Sequence, residues 1–274
     1  MVLQKRDSRD FESWSVLRPP EMERRAVKQI IQALESLPES RGKKSNFRVH
    51  VVHIADVVAL EEIEKAKKKG LATTVETCPH YLMFSSETIQ AGETEYKCAP
   101  PLRDVQNRDN LRRKVLEGAI DSVSSDHSPS PASLKMKDTG DFVNAWGGIS
   151  GIQYTLPALW TSMMEYNSSA FSPATLHKVL STNTARLIGL SQKKGKIESG
   201  YDADFVIWEP ETTVDTSLDA CYQTQKLSPY IGKNMKGRVR ATFVDGGKVF
   251  DSEDGFSLAV CGKVLTRVPP RDLK

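Results

Sequence analysis

Two hydrophobic periodicities alternate along the chain. Between Glu21 and Leu37 the apolar residues Met22, Ala26, Val27, Ile30, Ile31 and Leu34 recur at helical spacing, with charges between them and prolines at Pro19-Pro20 and Pro38. That pattern predicts an amphipathic helix. Phe47 to Ile54 switches to alternating β-branched residues, which predicts a strand with Val49, Val51 and His53 on one face and His50 and Val52 on the other. Asp56 reads as the cap of a helix over 57–69 that ends at Gly70, and Leu71 to Thr77 reads as the next strand. Strand, helix and strand with short connections make a βαβ unit of a parallel sheet. Residues 108–117 then predict a helix closed by Gly118, 119–125 a third strand, and 149–166 and 173–188 two more helices. Residues 1–20 and the long stretch 78–107 read as irregular.

From Gly195 the texture changes. Residues 195–208 are a turn-rich strand segment, and 237–250 form a hairpin turning at Asp245-Gly246-Gly247. The region reads as all-β, with strands belonging to a second sheet. The division that follows is 1–194, then 195–260, then a tail over 261–274.

The 274 residues can bury a sizeable core, and 39% hydrophobic with 27% charged residues is an ordinary soluble composition. A net charge of +3 with interspersed signs gives no nucleic-acid footprint, and the basic runs at 41–44 and 65–69 read as a loop and a solvated helix face. No apolar run approaches a membrane span, and the first residues lack the apolar core of a secretory signal. Cys78, Cys98, Cys221 and Cys261 show no paired spacing, which suits a reduced, intracellular chain. The cytoplasm is the first expectation, with an organelle as the alternative.

The polar knot Ser124-Ser125-Asp126-His127-Ser128-Pro129 follows the third predicted strand directly. A carboxylate there can ligate a divalent metal or take a proton from water. The plainer reading is a turn in which Asp126 caps the next segment and Pro129 blocks a helix. Of the five histidines, His53 shares the strand-end position, so in one barrel His53 and Asp126 converge on one mouth as a ligand pair. His50 reads as structural, His177 as surface, and His127 as facing away from Asp126. His80 fits either a site wall or a plain loop.

Six stretches carry a resemblance. His53-Ile54-Ala55-Asp56, Glu76-Thr77-Cys78-Pro79-His80-Tyr81-Leu82, Lys97 to Arg103, Ser125 to Pro129, Ala145-Trp146-Gly147-Gly148-Ile149 and Gly200 to Val206 are together similar to the cyclic amidohydrolases, and within them to the allantoinases. The resemblance spans about residues 10 to 255. It implies an α/β fold: the C-terminal part of a (β/α)8 TIM barrel over 1–194, with part of a small β-sandwich over 195–260. It also implies hydrolysis of the hydantoin ring of allantoin to allantoate at a centre of two divalent ions, zinc first and manganese second. His53 then matches a ligand of one metal. Asp126 matches a ligand of the other and the general base, which passes its proton to the leaving nitrogen. Ala99 and Asn183 fall in segments that line the ring pocket. The family's His-x-His pair, its carbamylated lysine and a further strand-end histidine find no match here. The expectation is therefore an incomplete site in the C-terminal portion of such an enzyme, inert unaided, whose full-length form is a homo-oligomer. A dihydropyrimidinase-like hydrolase and a non-catalytic assembly protein are the alternatives.

Overall fold

The computed structural model of the chain describes residues 7–37, 47–258 and 262–265. Helix α1 (Phe11–Ser15) precedes α2 (Pro20–Glu35), whose first residue is the proline that needs no N–H partner there. Helix α2 buries Val27, Ile31 and Leu34, one part of the predicted stripe. Met22, Ala26 and Ile30, the rest of it, are exposed. The sequence reading missed α1, because five residues carry too little periodicity to detect.

Strand β1 (Val49–Val51) is shorter than the predicted 47–54, because His53 leaves the extended region for a left-handed conformation with φ 43°. Helix α3 (Val57–Lys68) is capped as expected: the Asp56 carboxylate accepts from the Ala59 N–H at 2.9 Å. The Arg24 guanidinium donates to both oxygens of that carboxylate, at 2.7 and 3.1 Å, and so ties α2 to α3. Strand β2 (Thr73–Thr77) leads into a short helix α4 (Pro79–Met83). Helix α5 (Val105–Leu116) starts three residues before its predicted onset, because Asp104 caps it by accepting from the Asn107 N–H at 2.7 Å. Strand β3 (Ser122–Val123) closes the series.

The three strands form a parallel sheet in the order β1-β2-β3, with Val51 beside Val75 and Thr77 beside Val123. Val51, Val75 and Val123 belong to the buried core with the inner faces of α3 and α5. On the other face a polar row crosses the sheet. His50 Nδ1 meets Thr74 Oγ1 at 2.8 Å, His50 Nε2 meets Glu76 Oε2 at 3.1 Å, and the Ser124 hydroxyl donates to Glu76 Oε1 at 2.7 Å. Parallel strands joined by helices on one side are what a contiguous part of a (β/α)8 barrel provides.

Helix α6 (Thr155–Asn167) buries a near-continuous run from Pro157 to Met163. Helix α7 (Pro173–His177) continues through a π turn over Lys178–Thr182 into α8 (Asn183–Leu187), so the predicted 173–188 helix is real but not uniform. The second sheet is antiparallel in the order β4-β5-β6-β7: β4 (Phe205–Thr213), β5 (Lys236–Val244), β6 (Gly247–Asp251) and β7 (Gly255–Phe256). Its tight turn has Asp245 and Gly246 at φ 51° and 79°, as the predicted hairpin requires. Strand β4 begins where the predicted 195–208 strand was nearly over; residues 195–204 are turns.

Helix α6 joins the two sheets. The Trp160 ring stands edge-on to Trp208 at 5.0 Å, and its Nε1–H donates to the Pro210 carbonyl at 2.9 Å. The regular structure of the described residues from 195 to 258 is the second sheet alone. Residues 214–235 hold no strand and run back over the first sheet's core, where Tyr230 packs against Tyr154 and Phe84. Aromatic burial against the larger core outweighs strand pairing there. Of the predicted tail 261–274, only 262–265 lie within the described residues, and they carry no regular structure.

Candidate active site at the C-terminal edge of the parallel sheet

All three strands end in polar side chains at one edge. Strand β1 delivers His53, β2 delivers Cys78 and then His80 in the first turn of α4, and β3 delivers Asp126. His53 and Asp126 share an unusual backbone: their φ angles are 43° and 44°. A side chain in that region costs about 1 kcal/mol or more and persists only where the surroundings impose it. Both strand ends are held. The Ile54 N–H donates to the Glu76 carbonyl at 2.8 Å, and the Thr77 hydroxyl donates to the Ile54 carbonyl at 2.7 Å. Beyond Asp126, the His127 ring accepts from the N–H groups of Gly151 and Ile152 at 3.1 and 3.3 Å. His127 therefore anchors the next loop and does not join its neighbour's carboxylate. Trp146 and Gly148 close over this loop. A Cβ on Gly148 would collide with the Ser128 side chain and carbonyl, so only glycine fits.

Cys78, His80 and Asp126 form a tight group whose donor atoms lie within 4.8 Å of one another. Cys78 and His80 are buried and Asp126 is exposed. Neither ring nitrogen of His80 has a hydrogen-bond partner, although the residue is 1% exposed. Burial, with help from His53 and Lys135, pushes the His80 pKa down to about 3, so the ring is neutral and both nitrogens are uncompensated. Burial also pushes the Cys78 thiol well above its ordinary value. The Asp126 carboxyl is raised by burial, pulled down by His53 and raised again by Glu76. For Glu76 burial works upward, but the hydrogen bonds from His50 and Ser124 win and hold its pKa low. An ionised Glu76, a raised Asp126 and a neutral His80 set acid and base groups apart within one small volume.

Ala99 lies beside His53 on an open apolar cleft of about 410 Å³, walled also by Val52, Pro100 and Met22. Asn183 goes elsewhere. Its amide donates to the Asp121 carbonyl at 2.7 Å, at the opposite, N-terminal edge of β3. The structure does not bring Asn183 to the mouth with the other three. His50, read from the sequence as structural, is held between Thr74 and Glu76, and His177 is exposed. Sequence reasoning left His80 undecided and passed over Cys78 and Glu76; their positions just at and after the end of β2 were the available signal.

No ion is needed to see that the donors suit one. Carboxylate, imidazole and thiol at a strand-end mouth are zinc-type ligands, and an orphaned buried imidazole lacks any other partner. Among the described residues no helix is long and apolar enough to cross a membrane.

Comparison with known proteins adds an independent line. The model of the amidohydrolase family matches residues 23–249. A probable allantoinase of Oryza sativa subsp. japonica is 40% identical over 259 residues, covering 93% of this chain and 50% of that protein. The allantoinase of Arabidopsis thaliana is 38% identical over 264 residues, covering 94% and 50%. Among solved structures, an L-hydantoinase (dihydropyrimidinase) from Arthrobacter aurescens superposes with a TM-score of 0.78 at 25% identity, covering 91% of this chain and 53% of that one. The chain thus spans about half the length of the relatives it matches.

Proposed function

Since the chain belongs to the amidohydrolase family, we propose that it supplies one part of an allantoinase-type site, which opens the hydantoin ring of allantoin to allantoate. The observation that carries this reading is the pair of left-handed strand ends at His53 and Asp126, near enough for the His53 ring to act electrostatically on the Asp126 carboxyl. The names and identities of the plant relatives support allantoin as the substrate. The hydantoinase neighbours support a dihydropyrimidinase-like alternative at lower identity.

Two divalent ions, with zinc as first choice, would polarise the ring carbonyl and acidify the attacking water. His53 and Asp126 would hold them. The Asp126 carboxylate, its basicity raised by its surroundings, takes the proton from the attacking water and delivers it to the ring nitrogen as the C–N bond breaks. His50 and Ser124 keep Glu76 ionised, and its negative field across the mouth favours the proton's residence on Asp126. Ala99 walls the cleft beside His53, and its backbone groups would meet the ring. With only two of the expected ligands matched, the chain by itself does not turn over. Homo-oligomer formation and a cytoplasmic location belong to the same reading.

The test is complementation. The purified chain is assayed on allantoin with added zinc, alone and mixed with the half of the Arabidopsis protein that it does not match. Activity only in the mixture, abolished by Asp126→Ala, is the expected result. Turnover that survives Asp126→Ala would sink the assignment of the base. Hydrolysis of dihydrouracil in place of allantoin would sink the substrate.

A further inference from the structure

The mouth holds a donor set of which the reading above uses only Asp126. His53 is not a member of the group formed by Cys78 Sγ, a His80 ring nitrogen and an Asp126 carboxylate oxygen. Two of the group's three members come from one short backbone segment where β2 gives way to α4. Cys78 ends β2, and His80 sits two residues later on α4, its ring held edge-on to Tyr81 at 4.3 Å. The Tyr81 hydroxyl is itself fixed on the Pro100 carbonyl at 2.7 Å, so the imidazole is clamped from behind. A clamped, fully buried imidazole with both nitrogens unsatisfied is rare in a folded protein and calls for a partner. Cys78 beside it is completely buried, and Asp126 faces the pair from the solvent side.

We propose that Cys78, His80 and Asp126 form a mononuclear zinc site, in which Asp126 is shared with the hydrolytic site but His53 takes no part. Zinc bonds to sulfur at about 2.3 Å and to nitrogen and oxygen at about 2.0–2.2 Å, so its ligand atoms stand about 3.5 Å apart. Donors already within 4.8 Å of one another reach that spacing by side-chain rotation, chiefly of the exposed Asp126. On binding, Cys78 Sγ forms a bond to Zn2+ and its thiol proton passes to solvent; no electron is transferred. The fourth tetrahedral position stays open on the solvent side for water or a small ligand. A Cys/His/Asp set prefers zinc over magnesium or calcium, because thiolate and imidazole are soft donors. The proposal concerns metal binding by this chain alone and stands or falls apart from allantoin hydrolysis.

The experiment is metal titration of the chelator-stripped 274-residue chain, with zinc followed by calorimetry and cobalt(II) followed by absorption. One zinc per chain is expected. Cobalt should show a thiolate charge-transfer band in the near ultraviolet. Cys78→Ala removes that band, and Cys78→Ala and His80→Ala each weaken zinc binding by at least about tenfold, the loss typical of damaged metal sites, whereas Asn183→Ala, at the opposite edge of the sheet, leaves it unchanged. Should His80→Ala fail to fold, the cobalt band of the unaltered chain still decides. Absence of retained metal, or cobalt bound without a thiolate band, overturns the proposal. So does loss of zinc in His53→Ala with retention in Cys78→Ala; that pattern would return Asp126 to the His53 pairing alone.

Discussion

The two edges of the parallel sheet are built from the same three strands and treat polar groups in opposite ways. At the N-terminal edge Asp121 is paired through one carboxylate oxygen and its carbonyl. It accepts from Lys67 Nζ at 2.6 Å and the Val75 N–H at 2.8 Å, and its carbonyl takes the Asn183 amide at 2.7 Å. The Lys67 ammonium also donates to the Ala119 carbonyl at 3.0 Å. At the C-terminal edge two strand ends are left-handed, the His80 ring is orphaned, and buried cations lack a carboxylate. Lys97 donates to the Val143 and Ala145 carbonyls, and Lys135 donates to the Lys97 carbonyl; among the described residues neither forms an ion pair. Satisfied polar groups at one edge lower the energy of the fold. Unsatisfied ones at the other cost energy that no partner among the described residues offsets.

The largest effect should come from the mouth's buried charge. Burial pushes the Lys135 pKa down to about 8. Its charged form therefore costs the fold about 3 kcal/mol below pH 8, since each tenfold loss of proton affinity is worth about 1.4 kcal/mol. That cost fades as pH rises from 8 toward the unfolded value of 10.5, where the unfolded chain loses the same proton. Lys135→Met gives up one hydrogen bond, yet should be more stable than the parent by about 2 kcal/mol at neutral pH. The gap should close by pH 10.5. Urea unfolding across that range measures it; a gap that is constant with pH would show that the ammonium is paired after all.

The opposite edge should respond with the opposite sign. Asp121→Ala strips Lys67 and the Val75 N–H of their acceptor and should cost about 2 kcal/mol in the same unfolding assay. Zinc binding at the mouth should be unchanged. A neutral Asp121→Ala would erase the contrast between the edges. Smaller again, Asn183→Ala should cost about 1 kcal/mol for its single hydrogen bond to the Asp121 carbonyl. In the complementation assay it should leave allantoin KM untouched; a rise in KM would return Asn183 to the ring pocket. Smallest is Asp126→Gly, which relaxes the φ of 44° and should stabilise the metal-free chain by about 0.5 kcal/mol. The same change removes a metal ligand. A destabilising Asp126→Gly would mean that the carboxylate supports the fold as well.

The sequence by itself determined the order of elements. Periodicity located α2 and α3, the Asp56 cap, β2 and the Asp245-Gly246 hairpin, because each depends on contacts a few residues apart. The chemistry-bearing knot at Asp126 was legible for a related reason: a strand pattern ends there in a carboxylate. His53 was legible as a strand-end residue too, although alternation put it on the face of Val49 and Val51, and only the folded backbone shows that it leaves the strand in a left-handed conformation. Likewise, nothing local distinguishes Asn183 near the mouth from Asn183 at the opposite edge; the packing of the π turn Lys178–Thr182 against β3, which leads Asn183 to the Asp121 carbonyl, decided that. Residues 214–235 abandon the second sheet for the first sheet's core, a choice made by long-range burial of Tyr230. Cys78 and His80 became a candidate site through solvation. A sequence shows which residues can donate or accept, whereas only tertiary structure shows which of them have lost water without gaining a partner.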